Sequence, residues 1–179
     1  IAGLTHGAVV AGNAVEVIEN GAFFDAMFAD IARAKASVHF ETFLWKEGVL
    51  GRRLVDALVE RRQAGVEVRV LVDADGGKEM GDDAQRRLRE AGCKFALFHR
   101  KRLRDIGKVN RRDHRKLLVV DGRVGFVGGH CIVDLWLGDA RHAGGGRGVG
   151  IRIEGPVVSE LQSTFGENWV DETGELFVG

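Results

Sequence analysis

The chain of 179 residues contains only two cysteines, Cys93 and Cys131, and a single proline, Pro156. Two cysteines so far apart make neither a metal-ligand spacing nor a disulfide framework, and they point to a reducing compartment. No apolar run approaches the roughly 20 residues that span a bilayer, and no secretory signal is visible. Charge of one sign is also lacking: 26 Lys and Arg balance 26 Asp and Glu, so overall charge favours no class of partner. What remains, with 45% apolar and 29% charged residues, is the composition of an ordinary globular domain, long enough for one substantial core. The chain opens at Ile1 rather than Met, so we expect a piece of a longer protein, in which any leader or membrane anchor would lie outside this sequence.

The charge is unevenly distributed. Between Arg100 and Lys116 there are nine Lys or Arg residues and two acids, Asp105 and Asp113. A local cationic segment on a neutral protein suits a specific anion, or else it is a solvated surface loop.

Hydrophobic periodicity predicts strands alternating with helices. Strand patterns are AVEVI, ASVHFETFLW through Trp45, VEVRVLVD and CKFALF; helical patterns are AFFDAMFADIARAK, VLGRRLVDALVERRQAG and DDAQRRLREAG. Phe24, Met27, Phe28 and Ile31 fall on one face of the first helix, and Leu50, Leu54, Val55, Leu58 and Val59 on one face of the second, with Gly65 placed to end it. This order predicts an α/β fold with a mixed, mostly parallel sheet and helices on both faces. After Phe98 comes a polar basic loop over residues 99–113. KLLVVDGRVGFVGG then reads as a hairpin around Asp121-Gly122. Residues 138–150, with six glycines in thirteen, read as a Gly-rich loop. A last strand, VGIRIEGP, precedes a terminal helix, PVVSELQSTFGENWV, with Pro156 in its first turn and Val157, Leu161, Phe165 and Trp169 on one face. All of this fits one domain over residues 1–179.

Residues two apart in a strand share a face. His114 and Lys116 therefore project together from the start of HRKLLVVD, ahead of four aliphatic residues. A lysine beside a histidine packs poorly in a core and would repel a metal cation. It suits an anion, with the ammonium on phosphate oxygens and the imidazole near phosphorus. His39 and Glu41 likewise share a face near the end of their strand, where α/β sheets bind ligands; a buried, self-satisfied pair is the structural alternative.

The segment His114–Gly129 reads H-x-K-x4-D-x6-G-G, and it resembles the core motif of the phospholipase D superfamily. VHFETFLW upstream and RIEGPVVSELQSTFGENWV downstream are similar to the N-terminal half of bacterial cardiolipin synthases and their relatives. The resemblance implies a phospholipase D-like half domain and metal- and cofactor-free phosphodiester chemistry. In that chemistry one motif's histidine attacks phosphorus and forms a phosphohistidine, while the histidine of a second motif serves as general acid and base. It implies catalytic roles for His114 and Lys116, and includes Asp121, for which a purely conformational role in the Asp-Gly turn stands equally open. Asn110 and Arg112 would shape the entrance, Gly128 and Gly129 would let backbone approach the phosphate, and Glu41 joins them as a substrate-binding candidate.

Two positions depart from the family pattern. Cys131 stands where an asparagine is usual, preceded by His130, and Gly148 stands where an aspartate normally supports a catalytic histidine. Glu41, Asp134 or Asp139 could replace that missing acid. One motif is present where the chemistry needs two, so a second half domain or a homodimer partner is expected. The expected activity is phosphatidyl transfer, making cardiolipin and glycerol from two phosphatidylglycerols at the cytoplasmic side of a bacterial inner membrane. The alternatives are a homodimeric phosphodiesterase acting on nucleic acid, and a degenerate half domain that binds anions or a membrane surface.

Overall fold

The computed structural model describes residues 9–98, 113–138 and 145–177. Most of the basic loop, with Asn110 and Arg112, therefore lies outside the described residues. The elements run β1 (Ala14–Glu19), α1 (Ala22–Arg33), β2 (Ser37–Thr42), α2 (Val49–Gln63), β3 (Glu67–Asp73), α3 (Asp82–Glu90), β4 (Lys94–Phe98), β5 (Lys116–Val120), β6 (Val124–Gly128), a 3-10 turn (Asp134–Trp136), β7 (Val149–Glu154) and α4 (Val158–Thr173).

Seven strands form one sheet in the order β1-β7-β6-β5-β2-β3-β4. The mixed α/β sheet with helices on both faces is as the sequence predicts; the parallel majority is not. Only β2–β3 and β3–β4 run parallel, and the other four pairings are antiparallel. The reason lies in the connections. Helices α2 and α3 carry the chain back along the sheet, which makes parallel neighbours of the strands they join. Strand β5 returns beside β2 in the opposite sense, and β6 follows it through a hairpin.

That hairpin turns on two residues with left-handed backbone, Asp121 (φ 51°) and Gly122 (φ 62°), and the Arg123 N–H donates to the Val120 carbonyl at 3.0 Å. Both positive angles are what a two-residue turn needs to match the twist of its strands.

The two faces of the sheet carry separate cores. On one, Phe24, Met27 and Ile31 of α1, Leu50, Leu54 and Leu58 of α2, and Leu88 of α3 pack on Val38, Phe40, Val70, Leu118 and Phe126. On the other, Val158, Phe165 and Trp169 of α4 pack on Leu71, Leu117 and Val119. The first turn of α4 corrects the expected face: Val158, not Val157, is buried, because Pro156 precedes the helix and the helix itself starts at Val158. No helix among the described residues is long and apolar enough to cross a membrane.

Candidate active site

The C-terminal ends of β2, β3, β4 and β6 meet the N-terminal ends of β5 and β7 along one edge of the sheet. Across the last row, Thr42 stands opposite Lys116 and Gly128 opposite Gly150. Lys116 shares its face with Leu118 and Val120, the face covered by α1 to α3. His114, exposed two residues earlier, lies against the Phe43 ring with centroids 4.8 Å apart. The Lys116 ammonium reaches back to the His114 carbonyl at 2.9 Å and sits 3.3 Å from the imidazole Nδ1. It also lies 5.6 Å from the Phe43 ring centre, within reach of a cation–π contact. The expected juxtaposition of His114 and Lys116 is thus present, with Phe43 as an added wall.

Loop backbone holds that wall in place. Asp73, at the end of β3, accepts the N–H groups of Asp75 and Gly76 at 2.9 Å each with one oxygen. Its other oxygen accepts the Asp113 N–H at 3.0 Å, immediately before His114. Gly76 is required here, since a Cβ would lie 1.9 Å from the Phe43 carbonyl oxygen. Sequence reading missed Asp73. A carboxylate closing an apolar strand at the ligand-binding edge was the available signal.

The other predicted residues separate. Gly128 lies where β7 comes close, a Cβ there meeting the Gly150 Cα at 3.0 Å, while a Cβ at Gly129 would meet nothing. Close backbone packing therefore explains Gly128, and Gly129 borders open space. Cys131 is buried beside the site, its thiol 3.9 Å from the Gly129 carbonyl. Burial raises the thiol's pKa, an effect the Lys116 charge partly opposes.

Asp121 sits at the far end of β5, about 16 Å from Lys116 at strand rise. Its carboxylate accepts the N–H groups of Ala36 at 2.7 Å, Ser37 at 2.9 Å and Lys35 at 3.0 Å. Burial alone would raise its pKa; these three donors and the Arg123 charge outweigh it and hold the carboxyl below its ordinary value. The direct catalytic role is corrected by this position: Asp121 fixes the hairpin to the start of β2.

Glu41 is corrected by strand parity. Because Thr42 pairs with Lys116, Glu41 points to the opposite face, under α4. There it is fully buried, and its Oε1 accepts the Asn168 side-chain N–H at 2.5 Å. Its neighbour on that face, His39, stacks on Phe165 and contacts Arg69 at 3.2 Å. Glu41 neither binds substrate beside Lys116 nor replaces the acid missing at Gly148. Asp134 is also committed elsewhere, accepting the Val49 and Leu50 N–H groups at the start of α2 at 2.9 and 2.8 Å. Asp139 lies outside the described residues.

What fills the space near Gly148 is aromatic. A Cβ on Gly148 would lie 2.8 Å from Trp136 Cζ3 and 3.1 Å from His130 Nε2. His130 is buried, stacked on Phe23 at 4.5 Å between centroids, and neither ring nitrogen has a protein partner. Burial lowers its pKa. Among the described residues no group of three or more His, Cys, Asp or Glu could hold a metal.

An α/β half domain with a His-x-Lys pair at the edge of its mixed sheet is a phospholipase D-like architecture. The fold matches the phospholipase D family member Nuc from Salmonella typhimurium at a TM-score of 0.68 and 14% identity, over 90% of this chain and 97% of that one. NucT from Helicobacter pylori matches at a TM-score of 0.67 and 12% identity, over 88% and 96%. In sequence, the family described as "Cardiolipin synthase, PLD-like domain" matches residues 27–132. The major cardiolipin synthase ClsA of Bacillus subtilis is 36% identical over 92% of this chain, and cardiolipin synthase A of Pseudomonas putida 36% over 93%. The chain belongs to the cardiolipin synthase family of phospholipase D-like domains. It spans about a third of the length of these curated relatives, 34% and 35%.

Proposed function

We propose that this chain supplies one half of a phosphatidyltransferase active site, with His114 as nucleophile or acid/base and Lys116 as phosphate-binding cation. The observation that carries the reading is the exposed imidazole beside the Lys116 ammonium, with the two nitrogens 3.3 Å apart. A phosphate seated there would accept from the ammonium while a ring nitrogen approaches phosphorus.

The reaction divides into two displacements. An unprotonated imidazole nitrogen attacks the phosphorus of phosphatidylglycerol, the bond to the glycerol headgroup breaks, and a histidine of a second motif protonates the leaving glycerol. That second histidine then takes the proton from a headgroup hydroxyl of another phosphatidylglycerol. The freed oxygen attacks the phosphohistidine, releasing cardiolipin and restoring the imidazole. Two phosphatidylglycerols give cardiolipin and glycerol. Lys116 neutralises the developing phosphorane charge, where an aimed cation gains most.

One H-x-K-x4-D motif is present, so the partner is a second motif-bearing half domain or a second copy of the chain, at the cytoplasmic side of a bacterial inner membrane. The relatives' names, and their greater length, support a two-motif lipid enzyme. Asn110 and Arg112 are the entrance residues of this reading. The test is His114→Ala in the full-length protein, assayed on phosphatidylglycerol vesicles. Turnover should vanish with the thermal midpoint nearly unchanged. Retained turnover with a large loss of stability would instead make His114 a packing residue.

A further inference from the structure

The segment that presents His114 is held from behind by buried carboxyl groups that the chemistry above does not use. Asp113 is 4% exposed and Glu41 0%. Asp113 Oδ1 accepts the Arg115 N–H at 3.1 Å, and Glu41 Oε1 accepts from Asn168 of α4. Each has one oxygen left over, Asp113 Oδ2 and Glu41 Oε2, with no donor directed at it. The Glu41 and Asp113 carboxyl groups lie within hydrogen-bonding reach of each other, and since carboxylates are acceptors only, they can pair only with a proton between them. A pair of apolar side chains would be easier to bury, so fold stability is a weak reason for the arrangement.

We propose that Glu41 is a positioning residue for His114: as a carboxylic acid it donates a hydrogen bond to Asp113 and so fixes the backbone on both sides of the imidazole. This rests on the reading of His114 as a reacting group.

The connections form a chain through the sheet. Asn168 on α4 holds Glu41, Glu41 holds Asp113, and Asp113 through Oδ1 holds the Arg115 N–H, so that His114 is spanned. Asp73 takes the Asp113 N–H, and Arg115 reaches the Thr164 carbonyl on α4 at 3.3 Å. The imidazole itself points away from this network, to the face bearing Lys116. Glu41 therefore acts on the reaction through the backbone and never through contact with substrate.

A retained proton on Glu41 is consistent with that role. Burial, then the hydrogen bond and charge of Asp113, push the Glu41 pKa up to about 9, against the opposing effects of Asn168 and Arg115. The groups facing it are Asp113 and Arg115 from the segment before β5 and Asn168 from α4; His39 lies two residues away on the same face. Loss of the proton would set two buried carboxylates against each other and release the segment.

The experiment compares Glu41→Leu, Glu41→Gln and His114→Ala in the full-length protein on phosphatidylglycerol vesicles. Glu41→Leu cannot hold Asp113, and kcat should fall about tenfold or more with KM little changed, the penalty of a loosened reacting group. Glu41→Gln can donate to Asp113 and accept from Asn168, so it should recover most of kcat and lack the alkaline fall expected of wild type above about pH 9. Wild-type kcat in Glu41→Leu, or equal losses in Leu and Gln, overturns the positioning role. Should Glu41→Leu fail to fold, the Gln variant decides alone, and an unchanged alkaline limb rejects the proposal. Activity in His114→Ala would reject the underlying reading instead, whatever the Glu41 variants do.

Discussion

The carboxylate of Asp121 accepts the backbone N–H of Ser37 at 2.9 Å, while the Asp121 N–H donates to the Ser37 carbonyl at the same distance. This reciprocal pair ties the β5–β6 turn to the first residue of β2, at the end of the sheet remote from Lys116. The motif aspartate is therefore predicted to matter for stability and not for chemistry. Asp121→Ala leaves three N–H groups without their acceptor and should cost about 2 kcal/mol, or about 4–8 °C in Tm. Turnover per folded molecule should stay near wild type, measured at a temperature where both remain folded. Because the folded pKa is depressed, this contribution is present above the ordinary carboxyl value of 3.8 and is lost as pH falls through the folded value.

Restoring the absent acid should not help. Gly148→Asp drives its Cβ against Trp136 and His130, at 2.8 and 3.1 Å. Overpacking of this kind costs about 1–3 kcal/mol. The expected outcome is a lower thermal midpoint without a gain in kcat. A stable, faster variant would mean that the aromatic filling is soft and that the acid was the missing part.

Glu41 makes a pH prediction opposite in sign to that of Asp121. Its pKa rises from 4.5 to about 9 on folding, so the folded state binds the proton more tightly. Its contribution is fully present below pH 4.5 and is lost as pH rises through the folded value. Glu41→Gln removes that loss. The Tm difference between variant and wild type should be small near pH 4 and should grow in the variant's favour up to pH 9, as thermal melts across that range would show. A difference that does not change with pH would mean that Glu41 ionises normally in the fold.

How far the sequence foretold this site depends on what one strand can reveal about another. Within a strand, period two placed His114 and Lys116 together, and it placed His39 with Glu41. Nothing in either stretch states the phase between them. That phase is the Thr42–Lys116 pairing, a long-range contact, and it sends Glu41 to the opposite face. The Asp-Gly turn was legible because left-handed backbone is a local demand. The antiparallel majority was not, because β5 pairs with β2, a strand more than seventy residues earlier, and the sense of so distant a pairing leaves no local pattern. Asp113 was visible only as an acid in a basic stretch, and its burial beside Glu41 needed α4 to close over both.

Lipid and nucleic-acid substrates should respond differently to salt. Binding through several phosphates of a nucleic acid weakens steeply as counterions are released, whereas binding at a lipid surface keeps an apolar component. Co-sedimentation of the full-length protein with phosphatidylglycerol vesicles should therefore decline only modestly between about 50 and 200 mM salt, the range over which several phosphate contacts lose orders of magnitude. A steep decline, matched by retention on DNA at low salt, would favour the phosphodiesterase alternative.

The central claim is that His114 is part of a phosphoryl-transfer site. Full-length protein should be mixed with phosphatidylglycerol labelled at phosphorus, quenched within one turnover in alkali, where a phosphoramidate survives, and mapped by mass spectrometry. A covalent phosphatidyl group on His114, or on the second motif's histidine and then lost in His114→Ala, is the predicted result. Turnover of the lipid with no covalent adduct on either histidine would contradict the account.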